Sequence, residues 1–352
     1  MLVIGRKGSF GKITFSDQPC FAIDTTYFID VKNSKVNLRW LFYALLPLRL
    51  DAISEDSAVP GLSRELTEEQ WLPVMPLPEQ LAITAFLDHE TARINALIAK
   101  KERLIELLQE KRVALMSHAV SKGLDFTEPM KDSGVEWLGV IPAHWDVLLL
   151  KRVARIRYGL GQPPAELDEG KPFVRATNVK NGTVASEGML YIDPTDISPG
   201  KNAVLLEGEI IVVRSGAYTG DSAIIPKEFE GAIAGYDMVV TITKGYSPFI
   251  AWQLLSKEVR DLQFGFYNLR AAQPHLNAEE LGGTIIVVPP LSEQHCIASY
   301  LDSETAKIDA LISRIRDGIE KLREYSTALI SAAVTGKIDV REKMALPDDG
   351  DL

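Results

Sequence analysis

Two stretches of the chain carry apolar residues at mixed three- and four-residue steps over about forty residues each. The apolar positions are Ile83, Leu87, Ile94, Leu97, Ile98, Leu104, Ile105, Leu108 and Leu115 in the first stretch, and Ile297, Leu301, Ile308, Leu311, Ile312, Ile315, Ile319, Leu322 and Leu329 in the second. This spacing places them in one stripe along a helix. Because most helix stability in proteins comes from burying such a face, the pattern predicts two long helices that pack on each other, antiparallel.

The residues at the two ends of each stretch agree with long helices. Each begins at a proline-containing segment, has no later proline, and is followed by a glycine, Gly123 or Gly336. Gly318 is the one weak point of the second stretch. At 1.5 Å per residue, a helix of about forty residues spans roughly 60 Å.

The two stretches belong to an internal repeat. The sequence Pro-Leu-Pro-Glu-Gln at 76–80 recurs 214 residues later as Pro-Leu-Ser-Glu-Gln at 290–294, and the match continues along both helices. Upstream, residues 60–63 align with 274–277, the segment 6–11 echoes 214–220, and Asp24 echoes Asp237. The chain is therefore predicted to contain two copies of one unit, each a globular part followed by a long helix.

The two copies are unequal. The second globular part starts near Glu136, whereas the first copy has no counterpart of residues 137–208. Within the second, turn signals separate short β-prone runs at 209–214 and 238–243, and residues 248–264 have helical spacing, so the fold class is α+β. An incomplete first copy is expected to expose unpaired strand edges within residues 1–75.

These patterns predict six segments. They are a partial first globular domain (1–78), a first long helix (79–122), a polar connector (123–136), a complete second globular domain (137–289), a second long helix (290–336) and an acidic, disordered tail (337–352).

A globular domain followed by Pro-x-x-Glu-Gln and a long helix, all present twice, resembles the specificity subunit of type I restriction-modification systems. The sequence Glu-Trp-Leu-Gly-Val-Ile-Pro-Ala-His-Trp at 136–145 resembles the opening of a target recognition domain, and residues 173–182, 213–221 and 271–277 are further phrases of this kind. The resemblance implies two target recognition domains, the first one partial, joined by two long antiparallel coiled-coil-like helices. Each domain is then expected to read one half of a bipartite site on double-stranded DNA.

The resemblance also implies partners. These are two copies of the modification subunit, which binds S-adenosylmethionine and methylates adenine, and a restriction subunit that translocates DNA, uses ATP and cleaves. The chain itself is expected to bind no cofactor and to have no catalytic activity. As an alternative, a truncated subunit keeps helix-mediated assembly with the modification subunit but reads at most one half-site. For the missing part of the first domain, a start further upstream, a remnant gene and a second chain are all left open.

Composition limits how such a protein can hold DNA. The net charge of −10 argues against coating nucleic acid by bulk electrostatics, so contacts are expected from local basic patches. With 46% hydrophobic residues but no long apolar run and no signal peptide, we expect a soluble cytoplasmic protein without a membrane segment. Cys20 and Cys296 are interpreted as small buried side chains.

No catalytic or metal-binding constellation stands out. The Walker A pattern fails at Arg6 and Ile13, the adenine methyltransferase motif Asn/Asp-Pro-Pro-Tyr is missing from the sequence, and the five histidines are scattered. The repeated Glu-Gln pairs at 79–80 and 293–294 are assigned to structure, because a carboxylate at a helix start is favoured by the helix dipole.

Candidate DNA contacts are basic, amide, hydroxyl or aromatic side chains near turns. Arginine pairs well with guanine, asparagine and glutamine with adenine, and lysine or arginine with phosphate, although an ordinary surface role stays open for each residue. The candidates are Arg6, Lys7 and Lys12 on a glycine-rich loop; Arg157 and Tyr158 on a strand predicted to be basic on one face; Arg175, Asn178 and Lys180 around one turn; Arg214, Ser215 and Tyr218 around another; and Tyr267, Asn268, Arg270 and Gln273 in a third loop.

Overall fold

The computed structural model describes residues 1–18, 20–32, 34–52, 61–162, 164–197, 202–265 and 274–341. The chain forms two compact units. Unit 1 consists of Met1–Glu106 and Ile312–Leu352, and unit 2 of Leu107–Leu311. Each unit therefore contains a part of both long helices.

Unit 1 begins with a three-stranded antiparallel sheet in the order β2-β1-β3. Its elements are β1 (Leu2–Gly5), β2 (Ile13–Phe15), β3 (Thr26–Ile29), α1 (Leu38–Leu45), two 3-10 turns (Leu46–Leu48 and Leu50–Ala52), α2 (Arg64–Glu68) and the first part of the long helix α3 (Leu77–Lys122).

Unit 2 continues α3 and adds a larger mixed domain. Its strands are β4 (Met130–Asp132), β5 (Val140–Pro142), β6 (Asp146–Leu149), β7 (Ala154–Tyr158), β8 (Glu166–Leu167), β9 (Lys171–Val174), β10 (Val179–Lys180), β11 (Thr183–Val184), β12 (Leu190–Ile192), β13 (Ile210–Val212), β14 (Ser222–Ile224), β15 (Ile233–Ala234), β16 (Met238–Ile242) and β17 (Ile285–Val288). Its helices are α4 (Ser247–Leu255), α5 (Lys257–Val259) with a π-helical turn (Arg260–Phe264), α6 (Ala278–Gly282) and the start of the long helix α7 (Leu291–Val334).

The strands of unit 2 form two four-stranded sheets, in the orders β14-β13-β16-β7 and β15-β9-β12-β8, together with the pairs β17-β6, β4-β5 and β10-β11. Among the described strand pairs, only β15 and β9 are parallel. The mixture of short, mostly antiparallel strands with separate helices confirms the predicted α+β class.

The long helices pack antiparallel within each unit, as the apolar stripe predicts. In unit 1, Arg323 Nη2 lies 3.4 Å from the carboxylate of Glu102, and Leu87 shares a core with Ala333. In unit 2, Arg112 Nε lies 3.4 Å from the carboxylate of Asp309. No helix in the described part of the chain is long and apolar enough to cross a membrane.

Not every apolar position of the stripe is covered. Leu97, Leu104 and Leu311 are each 44% exposed, whereas Ile94 and Ile308 are buried. The three leucines stand at the edge of the stripe, where the neighbouring helix does not cover them.

The repeated glutamines, Gln80 and Gln294, explain why the Pro-x-x-Glu-Gln sequence recurs. Both are buried, and each side-chain amide joins the first turn of its long helix to the segment before it and to the start of α1 or α4. The partners are Asn37 N (2.8 Å) and Met75 O (2.7 Å) for Gln80, and Tyr246 N (2.8 Å) and Pro289 O (2.8 Å) for Gln294. The amides connect each globular part to its helix, so their assignment to structure agrees with the contacts.

A second connection recurs about two turns further along each helix. The hydroxyl of Tyr43 donates to Asp88 at 2.6 Å in unit 1, and the indole N–H of Trp252 donates to Asp302 at 2.9 Å in unit 2. Different aromatic donors therefore serve the same aspartate position of the repeat.

Four local expectations are wrong. Val340, within the predicted disordered tail, is 3% exposed in the core of unit 1 because the tail begins with apolar residues that pack there. Both Cys20 and Cys296 are exposed. The predicted connector contains β4, which pairs with β5. The predicted match of Asp24 with Asp237 is wrong as well. In the strand pairing of unit 1, Thr26 lies at the position that Asp237 has in unit 2.

Replacing either buried glutamine, as Gln80→Ala or Gln294→Ala, is expected to lower the free energy of unfolding by about 1–3 kcal/mol, because buried backbone groups lose their partners. Urea unfolding monitored by circular dichroism measures the change. Gln109→Ala, an exposed glutamine on α3, is the matched control and should change stability by less than about 0.5 kcal/mol. Equal effects of all three substitutions would contradict the role of the buried amides.

Candidate nucleic-acid interface

Residues 213–221, here called the Arg214 loop, connect β13 to β14. Val213 N donates to Asp221 O at 2.7 Å and Gly220 N donates to Val213 O at 2.9 Å, which closes the loop at its base. Gly220 has a φ of +88°, and a Cβ there would lie 2.8 Å from the ring of Phe264. The glycine is therefore required by both the backbone conformation and the close packing.

Arg214 lies between two tyrosine rings. Its guanidinium carbon is 4.6 Å from the ring centroid of Tyr158 and 4.5 Å from that of Tyr236, close enough for cation–π attraction to both. The hydroxyl of Tyr158 accepts a hydrogen bond from Ala278 N at 2.9 Å, and Nη2 of Arg214 lies 3.4 Å from Nε2 of His275. These contacts fix the guanidinium in one place at the end of the sheet.

The side chain of Asp237 binds the backbone N–H of Arg214. The carboxylate is 2% exposed and accepts a hydrogen bond from Arg214 N at 3.0 Å. Burial raises the pKa of Asp237 to about 6, although the N–H and the charge of Arg214 act in the opposite direction. At neutral pH the buried carboxylate is therefore mainly ionised.

The neighbouring Asp221 is also buried and forms an ion pair with Arg260 at 2.5 Å. Burial raises the pKa of Asp221, and the charge and hydrogen bond of Arg260 partly offset the effect. This pair ties the end of the Arg214 loop to the π-helical turn that supplies Phe264.

The rim of the loop presents rings and hydroxyls. Tyr158, Tyr218 and Tyr236 are each between 44% and 45% exposed, and Ser215 is half-buried. An ordered guanidinium surrounded by exposed aromatic surface can donate hydrogen bonds to a base edge or to a phosphate.

The hairpin of β10 and β11 lies beside β14, the strand that follows this loop. Gly182 N donates to Ser222 O at 3.1 Å, and the turn needs positive φ at Asn181 (+47°) and Gly182 (+92°). Lys180 is exposed on this hairpin.

Arg157 is engaged inside unit 2. Its guanidinium forms two hydrogen bonds of 2.5 Å with Glu209, and it also donates to Thr241 and to the carbonyls of Asn202 and Val204. Burial alone would raise the pKa of Glu209, but the hydrogen bonds from Arg157 and its neighbours lower it below the ordinary value. These bonds occupy the guanidinium within unit 2, and contact of Arg157 with DNA remains a prediction.

Arg175 and Asn178 are likewise used to shape a loop. Asn178 is fully buried and donates from Nδ2 to the carbonyls of Ala185 and Glu187, both at 3.2 Å. Arg175 is half-buried and donates from Nη2 to the carbonyl of Gly188 at 3.0 Å. These donors are used inside unit 2 to hold the loop, and contacts of both residues with DNA remain predictions.

Unit 1 contains the same loop construction at residues 5–12. Gly11 N donates to Gly5 O at 2.8 Å, as Gly220 N does to Val213 O. The guanidinium carbon of Arg6 lies 5.8 Å from the ring centroid of Tyr27. The side chains of this loop remain available, since Arg6, Lys7 and Lys12 are all exposed.

The backbone around the two arginines also matches. Leu62 N donates to Arg6 O at 2.9 Å, and Leu276 N donates to Arg214 O at 2.8 Å. Isolated β-bridges follow at the next residues, Lys7 with Gly61 and Ser215 with His275. The sequence similarity between residues 6–11 and 214–220 therefore reflects a shared backbone structure, although the two loops differ in their side chains.

The third predicted loop falls outside this description. Tyr267, Asn268, Arg270 and Gln273 lie outside the described residues, and their contacts with DNA remain predictions.

Tyr236 is a further residue of this site, and the sequence analysis did not identify it. Its only signal was its position two residues before the β-prone run that starts at Met238, and the strand pairing that brings it to Arg214 is not visible in the sequence.

Comparisons with known proteins agree with this architecture. The family model described as type I restriction modification DNA specificity domain matches residues 142–321. The EcoBI specificity subunit of Escherichia coli is 24% identical over 99% of this chain and 75% of its own length. The MjaVIII specificity subunit of Methanocaldococcus jannaschii is 25% identical over 89% of this chain and 73% of its own length.

The fold is also found among solved structures. A chain from a structural study of complex assembly and conformational transition of the type I R-M system has a TM-score of 0.65 at 14% identity, over 96% of this chain and 82% of that one. Since the family match alone covers more than half of the 352 residues, the chain belongs to the family of type I restriction modification DNA specificity domains.

Proposed function

We propose that this protein is the sequence-specific DNA recognition subunit of a type I restriction-modification complex and has no catalytic activity of its own. The observation that carries the proposal is the Arg214 loop, in which an arginine is held between two tyrosines, in a chain of the specificity-domain family. Adenine methylation and DNA cleavage are then carried out by partner subunits, at places that this protein selects.

In unit 2 the reading group is the guanidinium of Arg214. Arginine donates two hydrogen bonds to O6 and N7 of guanine, and a guanidinium that is already ordered loses little entropy on binding. Tyr218 and Ser215 lie on the same loop and add contacts beside it, while Lys180 neutralises a backbone phosphate. Such local cations suit a protein whose net charge is −10.

In unit 1 we propose a contact with the DNA backbone. Arg6, Lys7 and Lys12 are exposed on a loop whose glycines permit close approach. Their charge neutralises phosphates, which positions a reader on the duplex without selecting a sequence.

The partners are two copies of the modification subunit and one type of restriction subunit, which bind S-adenosylmethionine and ATP. Exposed apolar side chains on the long helices support docking of such partners. In unit 1, Leu97 and Leu104 lie seven residues apart on α3, and in unit 2, Leu107 and Leu311 are 45% and 44% exposed. Large apolar side chains on an otherwise charged helix are typical of protein interfaces.

Co-expression with a modification subunit of this class tests the proposal. A stable complex that methylates adenines within one defined DNA sequence, and that protects this sequence from nuclease, is the expected result. A modification subunit that forms no complex with this chain, or that methylates the same positions without it, would overturn the proposal.

Arg214 and Lys180 are expected to act differently in DNA binding by that complex. Arg214→Ala should weaken binding to the recognised sequence by about 10- to 100-fold and relax the preference at one base pair. Lys180→Ala should weaken binding to all sequences alike and lower the slope of log K against log salt by about one. Fluorescence anisotropy at several salt concentrations, with Lys131→Ala as the charge-matched control, distinguishes them, and a uniform loss for Arg214→Ala would contradict base reading.

Asp237 is expected to act through the position of Arg214, at a cost in stability that depends on pH. Because the folded-state pKa is raised above the ordinary 3.8, the stability of the protein relative to Asp237→Asn is highest below pH 4 and falls as the pH rises to about 6. The difference in unfolding free energy should change by up to about 3 kcal/mol, corresponding to two pKa units. Urea unfolding of both proteins between pH 4 and pH 7 measures it. A difference that does not vary with pH contradicts the assignment, and the exposed Asp24→Asn is the control.

A further inference from the structure

The segment that leads into α6, residues 274–278, is paired with the Arg214 loop in unit 2. Leu276 N donates to Arg214 O at 2.8 Å, beside an antiparallel bridge between Ser215 and His275. The backbone pairing therefore places His275 next to the arginine.

The backbone on both sides of His275 is held by hydrogen bonds. Before it, the carbonyl of Pro274 accepts from Gly216 N and from Thr219 Oγ1, both at 3.3 Å. After it, the side-chain oxygen of Asn277 accepts two first-turn N–H groups of α6, both at 2.9 Å, and so caps that helix. The imidazole is thus attached to a segment that is fixed at both ends.

The imidazole contacts the guanidinium of Arg214 in a defined sense. Nε2 of His275 lies 3.4 Å from Nη2 of Arg214. A guanidinium can only donate hydrogen bonds, so Nε2 is the acceptor and the ring proton is on Nδ1. The rings of Tyr158 and Tyr236 hold the guanidinium carbon in place, and the imidazole engages one of its N–H groups.

This contact limits which donors of Arg214 can reach DNA. A guanidinium carries five N–H groups. The one on Nε is buried and has no hydrogen-bond partner among the described residues, and one on Nη2 faces His275. The N–H groups that remain lie at the Nη1–Nη2 end. Guanine presents two neighbouring acceptors in the major groove, O6 and N7, which match such a pair of donors.

Unit 1 forms the same backbone pairing without a histidine. Position 61, the counterpart of position 275 at the 214-residue offset, is a glycine, and Gly61 makes the equivalent bridge with Lys7. The guanidinium of Arg6 is exposed there, 5.8 Å from the ring centroid of Tyr27. The loop conformation does not require an imidazole, so the contribution of His275 lies in its contact with the guanidinium.

We propose that His275 is a positioning residue that sets the base preference of Arg214, by holding Nη2 so that the guanidinium meets guanine through its Nη1–Nη2 end. This inference rests on the proposed function of the Arg214 loop. Without the imidazole, the guanidinium can turn and donate single hydrogen bonds to O4 of thymine, N7 of adenine or a phosphate. Binding to DNA then continues, but the preference for guanine is relaxed.

The test uses the full chain in complex with the modification subunit and two fluorescent duplexes. One contains the sequence that the wild-type complex methylates, and the other has A·T in place of G·C at the base pair where Arg214→Ala relaxes the preference. His275→Ala should lower the ratio of the two Kd values at least about tenfold, while Kd for the substituted duplex changes less than about twofold. His89→Ala, whose side chain is 64% exposed, is the control and should leave the ratio unchanged.

Two further variants separate positioning from a general effect on structure. His275→Gln supplies an acceptor oxygen near the place of Nε2 and should restore the ratio to within about threefold of wild type. Adding His275→Ala to Arg214→Ala should lower the ratio no further, because His275 acts only through the arginine. A glutamine variant no better than the alanine variant, or an additive loss in the double variant, would overturn the proposal.

The same measurements distinguish this inference from the function on which it rests. A wild-type complex that binds both duplexes equally would overturn the proposed function and the role of His275 with it. In a complex that does discriminate, an unchanged ratio for His275→Ala, or an equal loss of binding to both duplexes, would overturn the role of His275 alone.

Discussion

The structure depends on the burial of one apolar stripe on each of two very long helices. Helices of 46 and 44 residues with a single apolar face gain too little from their own hydrogen bonds to be stable in water. In each unit, the stripe is covered partly by the antiparallel neighbour and partly by a globular domain, and a buried glutamine fixes that domain to the first turn of its helix. These connections fix where each globular domain lies on its long helix.

The candidate reading site satisfies a second requirement, the ordering of a long cationic side chain before DNA arrives. Arg214 meets it with two tyrosine rings beside the guanidinium and a buried carboxylate beneath its backbone. Burying Asp237 is unfavourable at neutral pH, as its raised pKa shows, so the site keeps a costly group that orients the loop. Arg157 lies on β7 of the same sheet, and its ion pair with Glu209 serves to hold that sheet together.

The repeat made much of the fold predictable from sequence. The helices, their antiparallel packing and the glycine-closed loops follow from periodicity and from a match at a fixed offset, both of which can be read directly from the sequence. Whether a particular polar side chain faces solvent depends on strand pairing between distant segments. For this reason Arg157, Arg175 and Asn178 resembled Arg214 in the sequence, although only Arg214 stands among exposed aromatic rings, and Tyr236 had no signal of its own.

Crosslinking from single positions tests the central claim most directly. With a photoreactive phenylalanine analogue in place of Tyr218, the assembled complex should crosslink to bases within its recognition sequence, and the same analogue in place of Tyr191, which is 38% exposed on β12, should not. Crosslinks from position 191 but none from position 218 would contradict the assignment of the Arg214 loop as the DNA-reading surface.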